Sequence, residues 1–126
     1  MGFPSELKYT KDHEWVLVEG NTATVGITAY ALEQLGDVVH IELPEVGEEF
    51  SDSDTFGTIE STKTVSDLYM PVEGKVVSVN NDLEDDLDTL TSDAYKAGWL
   101  VKIEFSELSD ELLSASEYEA FIAEDE

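Results

Sequence analysis

Lys63 is the residue of this chain best placed for chemistry. It lies between two short strand candidates, Phe56 to Ser61 and Val65 to Met70, with Gly57 and Gly74 on either side. A lysine at a hairpin tip projects its amine into water on a flexible stem, where a modifying enzyme can reach it. The plain alternative is a solvated lysine in a turn, and composition alone favours it. The other reactive types offer less. His13 stands between Asp12 and Glu14, and His40 falls inside a strand pattern; neither has the i, i+4 partner of a helical zinc site. Both are expected to pack or to face solvent. There is no G-x-S-x-G elbow and no P-loop. The acidic run 81–86 lacks the glycine and spacing of a calcium-binding EF-hand loop. The chain has no cysteine, which excludes disulfides, thiolate catalysis and cysteine metal sites. No catalytic centre and no metal site are expected.

The elements that would position Lys63 are mostly strands. Trp15-Val16-Leu17-Val18 is β-rich, Glu19-Gly20-Asn21 turns the chain, and Thr22 to Ile27 continues it. Thr28 is a candidate cap for a short helix with Ala31, Leu32 and Leu35 on one face, ended by Gly36. Val38 to Leu43 reads as a strand stopped by Pro44. Lys75 to Asn80 and the strictly alternating Leu100 to Phe105 are further strands. Pro44-Glu45-Val46-Gly47 and Pro71-Val72-Glu73-Gly74 each precede a strand, a faint repeat that suits two related hairpins in two facing sheets. Residues 80–93 read as an acidic loop with room for one helical turn. A helical turn is expected over Ser109 to Leu113, and Ser116 with Glu119 forms a capping-box pattern for a final helix. Many short strands with helices at the margins argue for a mainly β sandwich or barrel-like fold, not a nucleotide-binding α/β sheet.

Length and charge narrow the partners. The 126 residues suit a single domain, and a hydrophobic fraction of 41% permits a modest core. No apolar run approaches a membrane span, and the start Met1 to Glu6 has neither a basic nor an apolar signal region. Six lysines face 30 acidic residues, a net charge of −24. Nucleic acid and anionic membranes are therefore poor partners, because phosphate binding needs clustered positive charge. Basic proteins or a cationic substrate group fit better. Most of these carboxylates are expected simply to form a solvated face that keeps the protein monomeric.

Glu60-Ser61-Thr62-Lys63-Thr64-Val65-Ser66-Asp67, followed by Pro71-Val72-Glu73-Gly74, resembles the lipoylation segment of glycine cleavage H-proteins. Other blocks are similar to that family in order and spacing: 7–16 at the opening, Val25-Gly26-Ile27-Thr28, Leu35-Gly36-Asp37-Val38-Val39, 42–47, Gly98 to Ile103 and Glu117-Tyr118-Glu119-Ala120. Thr62 stands where Val is usual, Ala29-Tyr30 where an acidic residue and His are common, and His40 where Phe is usual. The resemblance implies a lipoyl-type barrel-sandwich hybrid of two antiparallel sheets, with a short helix after Thr28 and C-terminal helices at about 107–123, all in one domain over 1–126. It implies a carrier and not a catalyst, with lipoate in amide linkage to Lys63 and with Glu60, Ser61 and Asp67 read by the modifying enzyme.

The implied partners are the pyridoxal-phosphate glycine decarboxylase (P-protein), the folate-dependent aminomethyltransferase (T-protein) and dihydrolipoamide dehydrogenase (L-protein). To these is added a lipoate ligase or lipoyl/octanoyl transferase. The carrier would move the aminomethyl group of glycine between the first two and electrons to the third. The implied compartment is the cytoplasm of a bacterium or archaeon, or the mitochondrial matrix for a mature eukaryotic chain. A loaded arm carries an amine, for which Glu14 and Asp67 are candidate acceptors, with Trp15, Ile27 or Leu35 as candidate apolar walls. The alternative functions are a lipoyl-relay or binding module that hands lipoate to other complexes, and a lipoyl or biotinyl domain of another multienzyme complex. Such domains are shorter and lack the His-Glu-Trp opening. The biotinyl type also has Met on both sides of its lysine, where this chain has Thr62 and Thr64.

Overall fold

The computed structural model describes residues 6–51, 54–92, 95, 98–106 and 112–125. Two antiparallel sheets enclose the core without closing into a barrel. The larger sheet holds β1 (Lys8–Tyr9), β2 (Glu14–Glu19), β3 (Thr22–Ile27), β5 (Glu49–Phe50), β8 (Gly74–Val79) and β9 (Val101–Phe105), in the order β1-β2-β3-β9-β8-β5. The smaller sheet is β4 (Val38–Glu42), β6 (Thr55–Ser61) and β7 (Val65–Tyr69), in the order β4-β6-β7. The faint repeat does not give two hairpins in facing sheets; the strands that follow its two segments pair with each other in the larger sheet. β5 follows the first Pro-x-x-Gly segment and β8 runs from the second, and Glu49 pairs with Lys75.

Alternation places one side of each strand inward. Val16, Val25, Ile27, Ile41, Ile59, Leu68, Val76, Val101 and Ile103 meet between the sheets. The second strand is unusual because both its sides are covered. Val16 and Val18 join that main core, whereas Trp15 and Leu17 join a second cluster with Leu7, Tyr9 and Tyr118. Gly57 and Gly74 serve close packing: a Cβ on either would collide with a carbonyl oxygen across the ladder, that of Glu42 or Glu104.

The helix α1 (Ala29–Leu35) has the expected ends. Thr28 Oγ1 accepts from Ala31 N at 3.3 Å, and Gly36 closes it with φ of 83°. Three expectations need correction. Residues 80–93 contain two short helices, α2 (Asp82–Asp85) and α3 (Leu87–Ser92), in place of one turn. The final helix α4 (Ala115–Asp125) is capped by Ser114 and Glu117, not by Ser116 and Glu119: Ser114 N donates to Glu117 Oε1 at 2.9 Å and Glu117 N donates to Ser114 Oγ at 3.2 Å. Leu113 is not helical; it exchanges backbone hydrogen bonds of 2.7 and 2.8 Å with Tyr9. The rest of the turn expected over Ser109 to Leu113 lies, from 109 to 111, outside the described residues. Ser114→Ala should cost about 1 kcal/mol of stability, a typical cap loss. Urea unfolding would measure it, and no change would show that the cap is idle.

Candidate functional site

Lys63 sits in the three-residue link, 62–64, between β6 and β7. The tip is held by short-range polar contacts. The Ser61 hydroxyl is buried and accepts from Lys63 N and Thr64 N, each at 3.2 Å, while Ser61 N donates to Thr64 O at 2.8 Å. Thr62 N donates to Asp37 O at 3.0 Å, tying the tip to the turn after α1. The lysine side chain is exposed, and its stem crosses Gly36: Cε would stand 3.5 Å from a Cβ placed there. Of the residues expected near the lysine, Ser61 thus shapes the loop. Glu60 is an exposed residue of β6 paired with Val65. Ser61→Ala should loosen the tip and cost about 1–2 kcal/mol, because two backbone donors lose their acceptor. Faster amide exchange at Lys63 and Thr64 than in the wild type would report it; equal exchange would refute it.

A cleft of about 360 Å³ opens on the α1 side of the tip. α1 supplies Tyr30, Ala31 and Leu35, β3 supplies Ile27, β6 supplies Ile59, and β7 supplies Ser66, Asp67 and Leu68. Gln34 of α1, Thr64 of the tip, Asp12 and His13 complete the lining. The size suits a slender organic group. Ile27 and Leu35 are walls as expected. Trp15 is not: its indole packs over Gly26 in the second cluster, on the far side of β2 from the main core. A larger groove of about 570 Å³, lined by Glu49, Asp54, Glu73, Lys75 and Glu104, includes none of the residues around Lys63.

The two candidate acids differ. Asp67 borders the cleft from β7, the edge strand, but it pairs with Thr58, and alternation puts its exposed side chain on the outward face. Glu14 is 2% exposed and does not line the cleft. It shares a face with Val16 and pairs with the cleft-wall residue Ile27. Its Oε2 accepts from Tyr69 N at 2.7 Å, which fastens the end of β7 to the larger sheet. Its Oε1 is buried without a hydrogen-bond partner. Burial pushes the Glu14 carboxyl well above its ordinary pKa, the Tyr69 amide opposes this, and nearby Asp12 adds to the rise.

His13 is a residue that sequence reasoning assigned to packing or surface and that lies in the cleft wall. Its backbone has φ of 70°, a left-handed conformation that His tolerates better than most side chains. His13 Nδ1 and Thr28 Oγ1 each lie 2.8 Å from the Tyr118 hydroxyl. Burial raises the pKa of that phenol, so it stays protonated and able to donate. Tyr95 Oη accepts from Ala29 N at 2.9 Å. These contacts brace the start of α1, and so one wall of the cleft, against α4 and the segment before β9. The sequence carries no signal for these contacts, because Tyr118 lies 105 residues from His13 and 90 from Thr28 and nothing local joins them.

Comparison with known proteins gives one family. A model described as glycine cleavage H-protein matches residues 7–125. A glycine cleavage system H protein from Staphylococcus haemolyticus is 56% identical over 126 positions, covering 98% of this chain and 100% of that protein. One from Staphylococcus saprophyticus is 54% identical with the same coverage. Among solved structures, a glycine cleavage system H protein from Mycobacterium marinum superposes with a TM-score of 0.90 at 44% identity, covering 96% of this chain and 99% of that one.

Proposed function

The chain belongs to the glycine cleavage H-protein family, and from that premise we propose that Lys63 is its lipoyl attachment site and that the adjoining cleft receives the arm. The protein is a lipoyl carrier component of the glycine cleavage system and is not itself a catalyst. The observation that carries the assignment is the exposed Lys63 amine on a pinned hairpin tip beside a cleft with apolar walls. These residues fit the group: a free primary amine for the amide bond, and Ile27, Leu35, Ile59 and Leu68 to receive an alkyl chain. When bound, lipoate would supply a disulfide able to accept the aminomethyl group of glycine from the decarboxylase, yield it to the aminomethyltransferase and pass electrons to the dehydrogenase.

The protein's own residues do the rest. Ser61 and the Thr62–Asp37 contact hold the tether point, so the arm swings from a fixed origin and its local concentration at a docked partner is high. Glu14 offers the spare acceptor Oε1 for the amine of a loaded arm. It does not line the cleft, so the amine would have to reach past the lining residues to meet it. Asp67 contributes its charge at the edge, and with Glu60 and Ser61 it marks the tip for the modifying enzyme. We assign one domain to 1–126, a monomeric state, and a location wherever the glycine cleavage system resides. No helix among the described residues is long and apolar enough to cross a membrane.

Peptide mapping after treatment with lipoate ligase should find the added mass on Lys63 alone, and modification persisting in Lys63→Ala would overturn the assignment. The net charge of −24 should also steer association with the system's partners. Raising salt from about 0.01 to 0.15 M shortens the screening length from roughly 30 to 8 Å. The on-rate to the decarboxylase should therefore fall about tenfold or more over that range. A salt-independent on-rate would show that the acidity plays no part in encounter.

A further inference from the structure

The smaller sheet has one face in the core and one in water. Ile41, Ile59 and Leu68 fill the inner side. His40, Glu60 and Val65 are successive cross-strand neighbours on the outer side, and all three are exposed. A register shift between Val38 and His40 adds one more residue to that side. Val38 packs on the core, whereas Val39 is 49% exposed. Val65 is 60% exposed. Two of the four exposed large hydrophobics among the described residues therefore stand on the same outer face as Glu60, at the Lys63 end of the sheet. The remaining charge on the face is acidic, from Glu42, Glu60 and Asp67, with no lysine among the strand residues.

We propose that the Val39, Glu60 and Val65 face is the docking surface for the enzyme that acylates Lys63, a partner presenting apolar side chains within a ring of lysine or arginine. The inference rests on Lys63 being the acylated residue. A second copy of this chain does not fit, because two acidic faces on molecules of net charge −24 repel. A partner that reads only the far end of the arm can dock anywhere within the arm's reach. The acylating enzyme cannot. It must bring an activated acyl carbonyl, an acyl phosphate anhydride or a thioester, to Nζ itself. There the deprotonated Lys63 amine forms the C–N bond, the bond to the phosphate or thiol leaving group breaks, and the nitrogen loses a proton to a base. That enzyme has to cover the tip, and the tip has two sides. One carries Gly36, α1 and the cleft proposed to receive the arm; the other is this face.

The test is the double variant Val39→Thr/Val65→Thr, which keeps strand-compatible side chains and removes apolar surface. Its KM as acceptor for lipoate ligase should rise about tenfold, with kcat unchanged, as the loss of roughly one half-buried valine pair implies. Val46→Thr, at an exposed valine in the turn before β5, should behave as wild type. Once acylated at high enzyme concentration, the double variant should support glycine–bicarbonate exchange at the wild-type rate. A KM within twofold of wild type overturns the proposal, as does an equal loss in acylation and in exchange. If wild-type protein accepts its acyl group elsewhere than Lys63, the attachment assignment fails instead, and the two failures are told apart by the mapped position.

Discussion

Lys63→Arg will leave the fold and its charge unchanged and will abolish carrier activity. The residue is exposed, its backbone is held by Ser61, and its stem only rests over Gly36, so a guanidinium of similar length is accommodated. Nothing in the core depends on it. What is lost is chemical. A guanidinium stays protonated and does not form the amide that a lysine amine forms. Intact mass after ligase treatment should show no added group, and glycine–bicarbonate exchange should fall to background, whereas the unfolding free energy from urea titration should change by less than about 0.5 kcal/mol, as for an ordinary surface change. Residual exchange above background would mean that another lysine carries the arm.

Glu14 should show itself twice. The first effect is on stability. Burial holds its carboxyl well above the ordinary 4.5 in the folded protein, whereas the unfolded chain titrates near the ordinary value. In that interval the folded state keeps a proton that the unfolded state has released. Glu14's contribution is therefore fully present below the unfolded value and is lost as pH rises toward the folded one. Glu14→Gln has no such titration, so the stability of wild type relative to the variant should fall as pH rises from about 4 to 7. Urea titrations of both proteins across that range decide it; a constant difference would mean Glu14 titrates alike folded and unfolded. The second effect is on cargo. A cationic amine on a loaded arm would favour the ionised carboxylate, so Glu14 would give up the proton it keeps in the empty carrier and accept a charged hydrogen bond at Oε1. Glu14→Ala should therefore release formaldehyde and ammonia from the loaded carrier roughly 10- to 100-fold faster than wild type, the worth of a charged hydrogen bond. An unchanged rate would leave Glu14 with its bond to Tyr69 as its whole role.

The parts of this protein written in short-range signals were legible without a structure. Alternation marked β3 and β9, Gly20 marked the turn between β2 and β3, and Thr28 and Gly36 marked the ends of α1. The strand candidates on either side placed Lys63 on a hairpin tip. All of these depend on neighbours within a few residues. The caps of α4 were ambiguous because Ser114/Glu117 and Ser116/Glu119 satisfy the same pattern. The choice came from Leu113, whose bridge to Tyr9 keeps the chain extended until Ser114.

The cleft depended on distance. Its walls come from the Asp12–His13 turn and from β3, α1, β6 and β7, and no local rule says which faces of those elements meet. Trp15 was one of the candidate walls. It buries on the opposite side, because α4 and β1 cover the outer face of β2 and Gly26 leaves room there for the indole. Glu14, one residue earlier, is turned to the inner face by the same alternation and meets Tyr69, 55 positions away in the chain. His13 reaches the cleft through a left-handed backbone and is braced by Tyr118, 105 positions away. The sequence thus determined that Lys63, the lysine proposed to carry the arm, stands on a turn, since a turn needs only local chemistry. The tertiary structure decided what lies beside that lysine, because side chains far apart in the chain become neighbours only when two sheets and a terminal helix pack together.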